Sequence, residues 1–310
     1  MSVRPPGPRL PVVAVTVGDP AGIGPEIATA AVASRQVLAV CAPVLYGPHT
    51  PAALAAFSVG QVSAAAGQAA YDAVVAAVHD AQTGVVDAIA TGPVHKEAFA
   101  ACGLPWKGHT ELLGHLTGSP HVAMMFHSEL LRVVLATVHV PLAEVPRLLT
   151  RALVEEIIML TARSLPDFGL AAPRIGVAGL NPHAGEHGLM GIEDEAVLRP
   201  AIDACRARGV DAQGPFAADT VFLRASRGAF DAVVACYHDQ GLIPVELLVF
   251  GQSVNVTLGL PIIRTSVDHG TAFDIARTGT ADASSLVSAI TLAAALAARR
   301  IARRTDDRHS

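Results

Sequence analysis

Val12-Val13-Ala14-Val15-Thr16-Val17-Gly18-Asp19-Pro20-Ala21-Gly22-Ile23-Gly24-Pro25-Glu26 is the stretch on which the fold turns. A β-branched run enters a Gly-rich turn and a helix follows. Pro25 suits the first turn of that helix, where no backbone N–H is needed. Glycines in such a turn let backbone N–H groups come close to a ligand. The run is not GxGxxG and no Walker lysine follows it, so on spacing alone it is an ordinary βα turn.

The same grammar recurs along the chain. Further β-branched runs lie at Ala88–Thr91, Arg132–Thr137, Arg174–Ala178, Ala232–Tyr237 and Ser253–Leu258. Between many of them lie Ala/Leu-rich segments with helical spacing, such as Leu142–Ser164 and Asp194–Arg208. Strands alternating with helices predict an α/β fold with a largely parallel sheet. At 310 residues the chain exceeds one small core, so one large unit or two domains are expected. No Pro/Gly-rich linker divides it, and two domains would therefore be joined by more than one crossing. The ends, Met1–Arg9 and Arg303–Ser310, read as frayed tails.

Composition narrows the function classes. Apolar residues make up 51% of the chain and mean hydropathy is +0.44, which raises the question of a membrane. The longest helix-like apolar run, Ala283–Ala298, contains Ser284, Ser285, Ser288 and Thr291. It is shorter than the ~18–20 strongly apolar residues a span requires. The uncharged stretch from Gln36 to Tyr71 is interrupted by Pro43, Pro48 and Pro51 and cannot be one helix. A soluble, cytoplasmic protein with a buried amphipathic C-terminal helix is expected. The net charge of −5 and the lack of a basic stripe argue against nucleic acid. Cys41, Cys102, Cys205 and Cys236 are far apart, which predicts reduced thiols and no thiolate zinc site.

Three predicted strands run into histidine: Val133–Val138 into His139, Ile175–Pro182 into His183, and Val233–Tyr237 into His238 and Asp239. Ligands of open α/β sheets gather beyond the carboxyl ends of strands. Three imidazoles placed there could hold a divalent metal and leave a coordination position open. Any one of them alone reads more simply as a loop or capping residue. Two loops dense in polar donors, Gly92–Lys96 and Gly108–Glu111, precede them. His109 and Thr110 could hold an anion, and for Thr110 helix capping is the equal alternative. Arg264 stands among apolar residues and needs a carboxylate or an anionic ligand as partner. Thr265–Asp282 mixes Gly, Thr and Asp with His269, as a ligand loop or a solvent loop would.

Taken together, GDPAGIGPE (18–26), TGPVHKEA (91–98), GHTE (108–111), LATVHVPL (135–142), GLNPHAGE (179–186), ADT (218–220), YHDQGL (237–242) and VNVTLGLPIIRTSVDHGTAFDIA (254–276) resemble the 4-hydroxythreonine-4-phosphate dehydrogenase family. The strings keep family order across nearly the whole chain. The resemblance implies an isocitrate/isopropylmalate-dehydrogenase-like fold: two α/β domains about an active-site cleft, 1–130 with 260–310 and 131–259, in a homodimer. It implies that His139, His183 and His238 hold Zn, Mg or Co, with the third ligand coming from the partner subunit. His109, Thr110, Asn255 and Arg264 would bind substrate. His269, Gly270, Thr271, Ala272 and Asp274 would contact the adenosine part of NAD.

The implied reaction is NAD-dependent oxidation of the C3 alcohol of 4-phosphooxy-L-threonine followed by loss of carbon dioxide. Asp219 is the candidate for accepting the alcohol proton. One position departs from the family: Glu246 stands where a substrate-contacting lysine is usual. The wording GLIP also resembles the branch that acts on 4-phospho-threonate and 4-phospho-erythronate, and a further branch oxidises a dihydrodiol dicarboxylate. Outside the dehydrogenases, a metal-dependent hydrolase could also use three histidines, and Glu246 would suit a non-catalytic ligand-binding homologue.

Overall fold

The computed structural model describes residues 9–106, 108–249, 251 and 253–306. It divides into two compact units, Met1–Gly118 with Pro261–Ser310 and Ser119–Leu260. The chain therefore crosses between them twice. The expected boundary near residue 130 moves earlier, because the strand Ala123–His127 pairs with Arg132–Leu135 and Val254–Leu258, both in the second unit.

Unit 1 carries four strands in the order β2-β1-β3-β10: β1 (Val12–Thr16), β2 (Ala42–Tyr46), β3 (Ala88–Thr91) and β10 (Arg264–Ser266). All their pairings are parallel. Strands covered on both faces by helices read as near-continuous apolar runs, and Val13, Ala14, Val15, Ala88, Ile89 and Ala90 are all fully buried. The segment 36–71 is indeed broken, into a helical turn, β2, a second helical turn and the start of the helix Ala64–Thr83. Ser63 caps that helix by accepting from the Ala66 amide, and Gly84, in the left-handed region, stops it.

The C-terminal helix, Ser284–Asp306, is longer than the apolar run suggested, because Arg299 and Arg300 continue it. By length and composition its segment Ser284–Thr305 could cross a membrane, which corrects the expectation that it falls short. Its packing is that of a core helix: Leu286, Ala289, Ile290 and Ala293 are fully buried, and Thr265 donates to the Ala289 carbonyl at 2.8 Å. Of the expected tails, Arg303–Asp306 are helical. Met1–Pro8 and Asp307–Ser310 lie outside the described residues.

Unit 2 orders its strands β9-β4-β5-β8-β6-β7: β4 (Ala123–His127), β5 (Arg132–Leu135), β6 (Ile175–Ala178), β7 (Ala212–Phe216), β8 (Ala232–Ala235) and β9 (Val254–Leu258). The β4–β5 and β4–β9 pairs are antiparallel and the rest parallel. Leu131, Val133, Leu135, Val233, Phe222 and Val245 form one cluster between this sheet and the helices Ala218–Ser226 and His238–Val249. Leu142–Ser164 is not a single helix. Thr150, in extended conformation, accepts from the Leu153 amide and starts a fresh helix, Arg151–Ser164. Asp194–Arg208 is likewise divided, into a π turn over Asp194–Leu198 and the helix Arg199–Ala207.

Candidate functional site

In unit 1 the loops that follow β1, β3 and β10 are tied together through their backbones. The Asp19 amide donates to the Pro93 carbonyl at 2.8 Å, and the Ile23 amide donates to Thr271 at 3.0 Å. Two glycines permit this approach. A Cβ on Gly18, which has φ of +74°, would collide with the Pro93 carbonyl, and one on Gly22 would stand 2.6 Å from the Thr271 oxygen. The helix Gly24–Val32 starts here, with Pro25 in its first turn. Ala272 and Arg277 take positive φ, and the Arg277 guanidinium donates to the carbonyls of Pro20 and Leu54. The His269–Ala276 loop is thus fixed at its far end. Phe273 stacks on His95 with ring centroids 4.8 Å apart.

Unit 1 buries six side-chain atoms that have no hydrogen-bond partner, on or close to these loops or on the helix His109–Thr117: Thr16 Oγ1, Asp19 Oδ2, Glu26 Oε1, His95 Nδ1, His109 Nε2 and His269 Nε2. Buried polar groups are nearly always paired, so such a concentration needs a reason. Burial raises the Asp19 carboxyl above its ordinary range. Arg264, at 2% exposure, hydrogen bonds to Thr91 Oγ1 from Nη2 at 2.7 Å. Burial pushes its pKa down to about 9, so it remains a cation at neutral pH. Burial of the His109 ring, together with the Arg264 charge, holds His109 well below the ordinary histidine range. The ring is therefore neutral and can donate or accept one hydrogen bond beside a buried cation. Thr110 is in the first turn of the helix His109–Thr117, whose cap is Gly108, so the capping reading of Thr110 does not apply. Asp274 is exposed, Thr271 is buried, and Gly270 has open space where a Cβ would project.

In unit 2 the ends of β5 and β8 are laced by Ala136 N to Ala235 O and by Thr137 Oγ1 to Cys236 O, both 2.8 Å. This brings His139 and His238 side by side, with ring centroids 5.5 Å apart. Asp239 Oδ1 lies 2.7 Å from His238 Nδ1, an arrangement that fixes the ring and turns its other nitrogen, Nε2, away from that carboxylate. Gln240 joins β8 to the end of β6: its Oε1 accepts from Cys236 N at 2.6 Å and its Nε2 donates to Gly179 O at 2.7 Å.

His183 is not part of this pair. Among the described residues no three His, Cys, Asp or Glu side chains are grouped to hold a metal. His183 instead opens a run of five residues, His183 to His187, that all have positive φ, the four non-glycine ones with left-handed helical ψ as well. Left-handed backbone costs roughly 1–2 kcal/mol for each non-glycine residue, and four of the five are non-glycine. The turn carries His183 outward, with 62% of its side chain exposed.

Asp219 is exposed in the first turn of Ala218–Ser226, whose cap is Ala217, so it is not a helix cap. It lines an apolar groove of about 460 Å³ with Tyr237, Asp239, Gln240 and Ile243. Glu246 is half-buried on His238–Val249, flanked by the exposed Leu247. Asn255 on β9 has a buried Oδ1 with no hydrogen-bond partner. Sequence reasoning did not single out Asp194, Gln240 or Asn181. Only the Asn-Pro step before His183 hints at an unusual turn there.

Comparison with known proteins adds the family. The family model described as pyridoxal phosphate biosynthetic protein PdxA matches residues 24–293. The 4-hydroxythreonine-4-phosphate dehydrogenase of Beijerinckia indica is 45% identical, covering 92% of this chain and 94% of its own. The chain belongs to the PdxA family. Another PdxA relative, the D-threonate 4-phosphate dehydrogenase of Cupriavidus necator, is 44% identical over 94% of this chain and 98% of its own. The crystal structure of the Klebsiella pneumoniae 4-hydroxythreonine-4-phosphate dehydrogenase superimposes with a TM-score of 0.85 at 40% identity, covering 94% and 99% of the two chains. At the level of fold alone, isocitrate dehydrogenase from Methylococcus capsulatus is similar, with a TM-score of 0.50 at 16% identity over 96% and 90% of the chains. The chain therefore has the α/β, isocitrate-dehydrogenase-like fold that its motifs imply.

Proposed function

We propose that this chain is an NAD- and metal-dependent dehydrogenase. It oxidises the C3 alcohol of 4-phosphooxy-L-threonine, with decarboxylation to an aminoketone phosphate for pyridoxal phosphate synthesis. The observation that carries the reading is the His139–His238 pair with Asp239 on Nδ1 of His238. Two adjacent imidazoles, one fixed by a carboxylate, suit two places in the donor set of Zn, Mg or Co. His183 stands apart in its own chain, so it would be supplied by the second subunit of a cytoplasmic homodimer. In this assignment the pair within one chain is His139 and His238.

When bound, NAD supplies the two-electron oxidation and a divalent cation the Lewis acidity that such a reaction uses. The chain's own groups do the rest. Arg264, buried and charged, holds the phosphate, and neutral His109 with Thr110 adds hydrogen bonds to it. Asn255 Oδ1 accepts a hydrogen bond from the substrate. Asp219 takes the proton of the alcohol at its carboxylate. The unpartnered nitrogen of His269 and the open space at Gly270 fit a nucleotide contacting His269–Asp274. Arg277, already held by backbone carbonyls, is not free to take a 2′-phosphate, which favours NAD over NADP.

The test is NADH formation from 4-phosphooxy-L-threonine, 4-phospho-threonate, 4-phospho-erythronate and a dihydrodiol dicarboxylate, each with and without added divalent metal. Metal-dependent turnover of the phosphorylated threonine ahead of the others is the expected result. Full turnover by the chelated protein would overturn the metal assignment. A preference for a phosphorylated sugar acid would move the substrate to the threonate branch, as Glu246 allows.

A further inference from the structure

The left-handed run His183–His187 is held by one buried carboxylate. Asp194 has no solvent exposure. Its Oδ1 accepts from the Leu180 amide at 2.9 Å, and its Oδ2 accepts from the Asn181 amide at 3.1 Å and from Asn181 Nδ2 at 2.9 Å. Asn181 passes the constraint on: its carbonyl accepts from the Ala184 amide at 3.0 Å, inside the left-handed run. Asn181 Nδ2 also donates to Oε2 of the neighbouring Glu193 at 2.8 Å. The backbone is shaped to seat the carboxylate. A Cβ on Gly179 would stand 2.7 Å from Asp194 Oδ1, and one on Gly185 would stand 3.2 Å from Oδ2. Asp194 itself opens a π turn, Asp194–Leu198, an irregularity that often marks functional places in helices.

These three hydrogen bonds all come from Leu180 and Asn181, the residues that launch the His183 turn. We propose that Asp194, acting through Asn181, is a positioning residue for His183: it keeps an unfavourable backbone in the one shape that presents this imidazole outward for metal ligation. The inference rests on the metal reading above, and extends it to residues that touch neither metal nor substrate.

The experiment uses the full-length chain, stripped by a chelator and titrated with Mn²⁺ and with Co²⁺. NADH binding, which the function proposed above places in unit 1, and thermal unfolding are measured alongside. Asp194→Asn keeps the volume and removes one acceptor oxygen. Groups that orient a metal ligand typically alter metal affinity by about 10–100-fold when changed, and that is the expected loss, with a shifted Co²⁺ spectrum and unchanged NADH affinity. A merely structural role would lower the unfolding temperature and leave the Co²⁺ spectrum of the folded protein alone. A folded Asp194→Asn chain that binds Mn²⁺ as the wild type does would overturn the proposal. Should Asp194→Asn not fold, Asn181→Ala removes the side-chain bonds to Asp194 Oδ2 and Glu193 and keeps the backbone ones. It is expected to weaken Mn²⁺ binding in the same direction but by less, and wild-type affinity with an unshifted Co²⁺ spectrum there would overturn the proposal that Asp194 acts through Asn181. Wild-type protein that binds neither ion sinks the metal reading itself, and this inference with it.

Discussion

The loops of unit 1 fold their chemistry inward, whereas the His183 turn of unit 2 holds it out. Arg264 is almost wholly buried and His109 is desolvated, on loops that glycines bring into close contact. His183 projects into solvent from four strained non-glycine residues. The difference teaches where each half obtains its precision. A buried charge is positioned by what encloses it, and its selectivity for an anion comes from desolvation. An exposed imidazole has no enclosure, so its position must be set by the backbone beneath it.

The sharpest way to break this contrast is to remove the imidazoles. His139→Ala or His238→Ala should eliminate metal binding and lower turnover by on the order of 10³-fold, since a Lewis acid is worth several kcal/mol. NADH affinity should stay unchanged. Equal loss of metal and NADH binding would mean that the two units do not act separately.

Next is Arg264→Met. Hydrogen bonds to charged groups are worth about 1.5–3 kcal/mol, so KM for the phosphorylated substrate should rise by roughly 10–100-fold. Metal affinity should be untouched. A KM that does not move would show that Arg264 only fills space against Thr91.

The His109 expectation concerns stability. Its folded pKa lies below the ordinary value of 6.5, so the unfolded chain takes up a proton that the folded chain refuses. The stability it contributes is complete above about pH 6.5 and is lost as pH falls below that, by at most about 1.4 kcal/mol per pH unit. Denaturant unfolding of His109→Asn should show a flatter dependence there. The same slope in both proteins would show that His109 is hydrated after all.

The smallest effect is expected at Glu246. It is half-buried rather than enclosed, so Glu246→Lys should lower KM for the phosphorylated substrate by a few-fold, with less effect on an unphosphorylated hydroxy acid. No change would mean that the side chain does not face phosphate.

Much of the fold could be read from local pattern. The buried strands β1, β3, β5, β6, β8 and β9 announced themselves as β-branched runs. β2 and β7 did not, because Pro43 in one and Gly214 with Pro215 in the other dilute the signal at positions away from the buried centre of each sheet. β10 is only three residues, Arg264–Ser266, and two of its buried polar side chains, Arg264 and Ser266, pair with Thr91, which lies far back along the chain. The histidines of the candidate site stood out by residue type. What arranges them did not, because the support given by Asp194 and Gln240 depends on long-range hydrogen bonds and on a turn of the wrong hand for L-residues.

The double crossing has a consequence for how the chain comes into being. β3 pairs with β10, Ile89 through Thr91 against Arg264 through Ser266, and Leu286 and Ile290 complete the same core. A ribosome delivers all of unit 2 before any of those partners. The first 118 residues therefore wait with the β3 edge unpaired and its apolar neighbours uncovered, while unit 2 has everything it needs to fold. A released chain ending at Leu260 should contain a protease-resistant unit 2 attached to a protease-sensitive N-terminal segment. The buried arginine enters its pocket only in the last stage of synthesis.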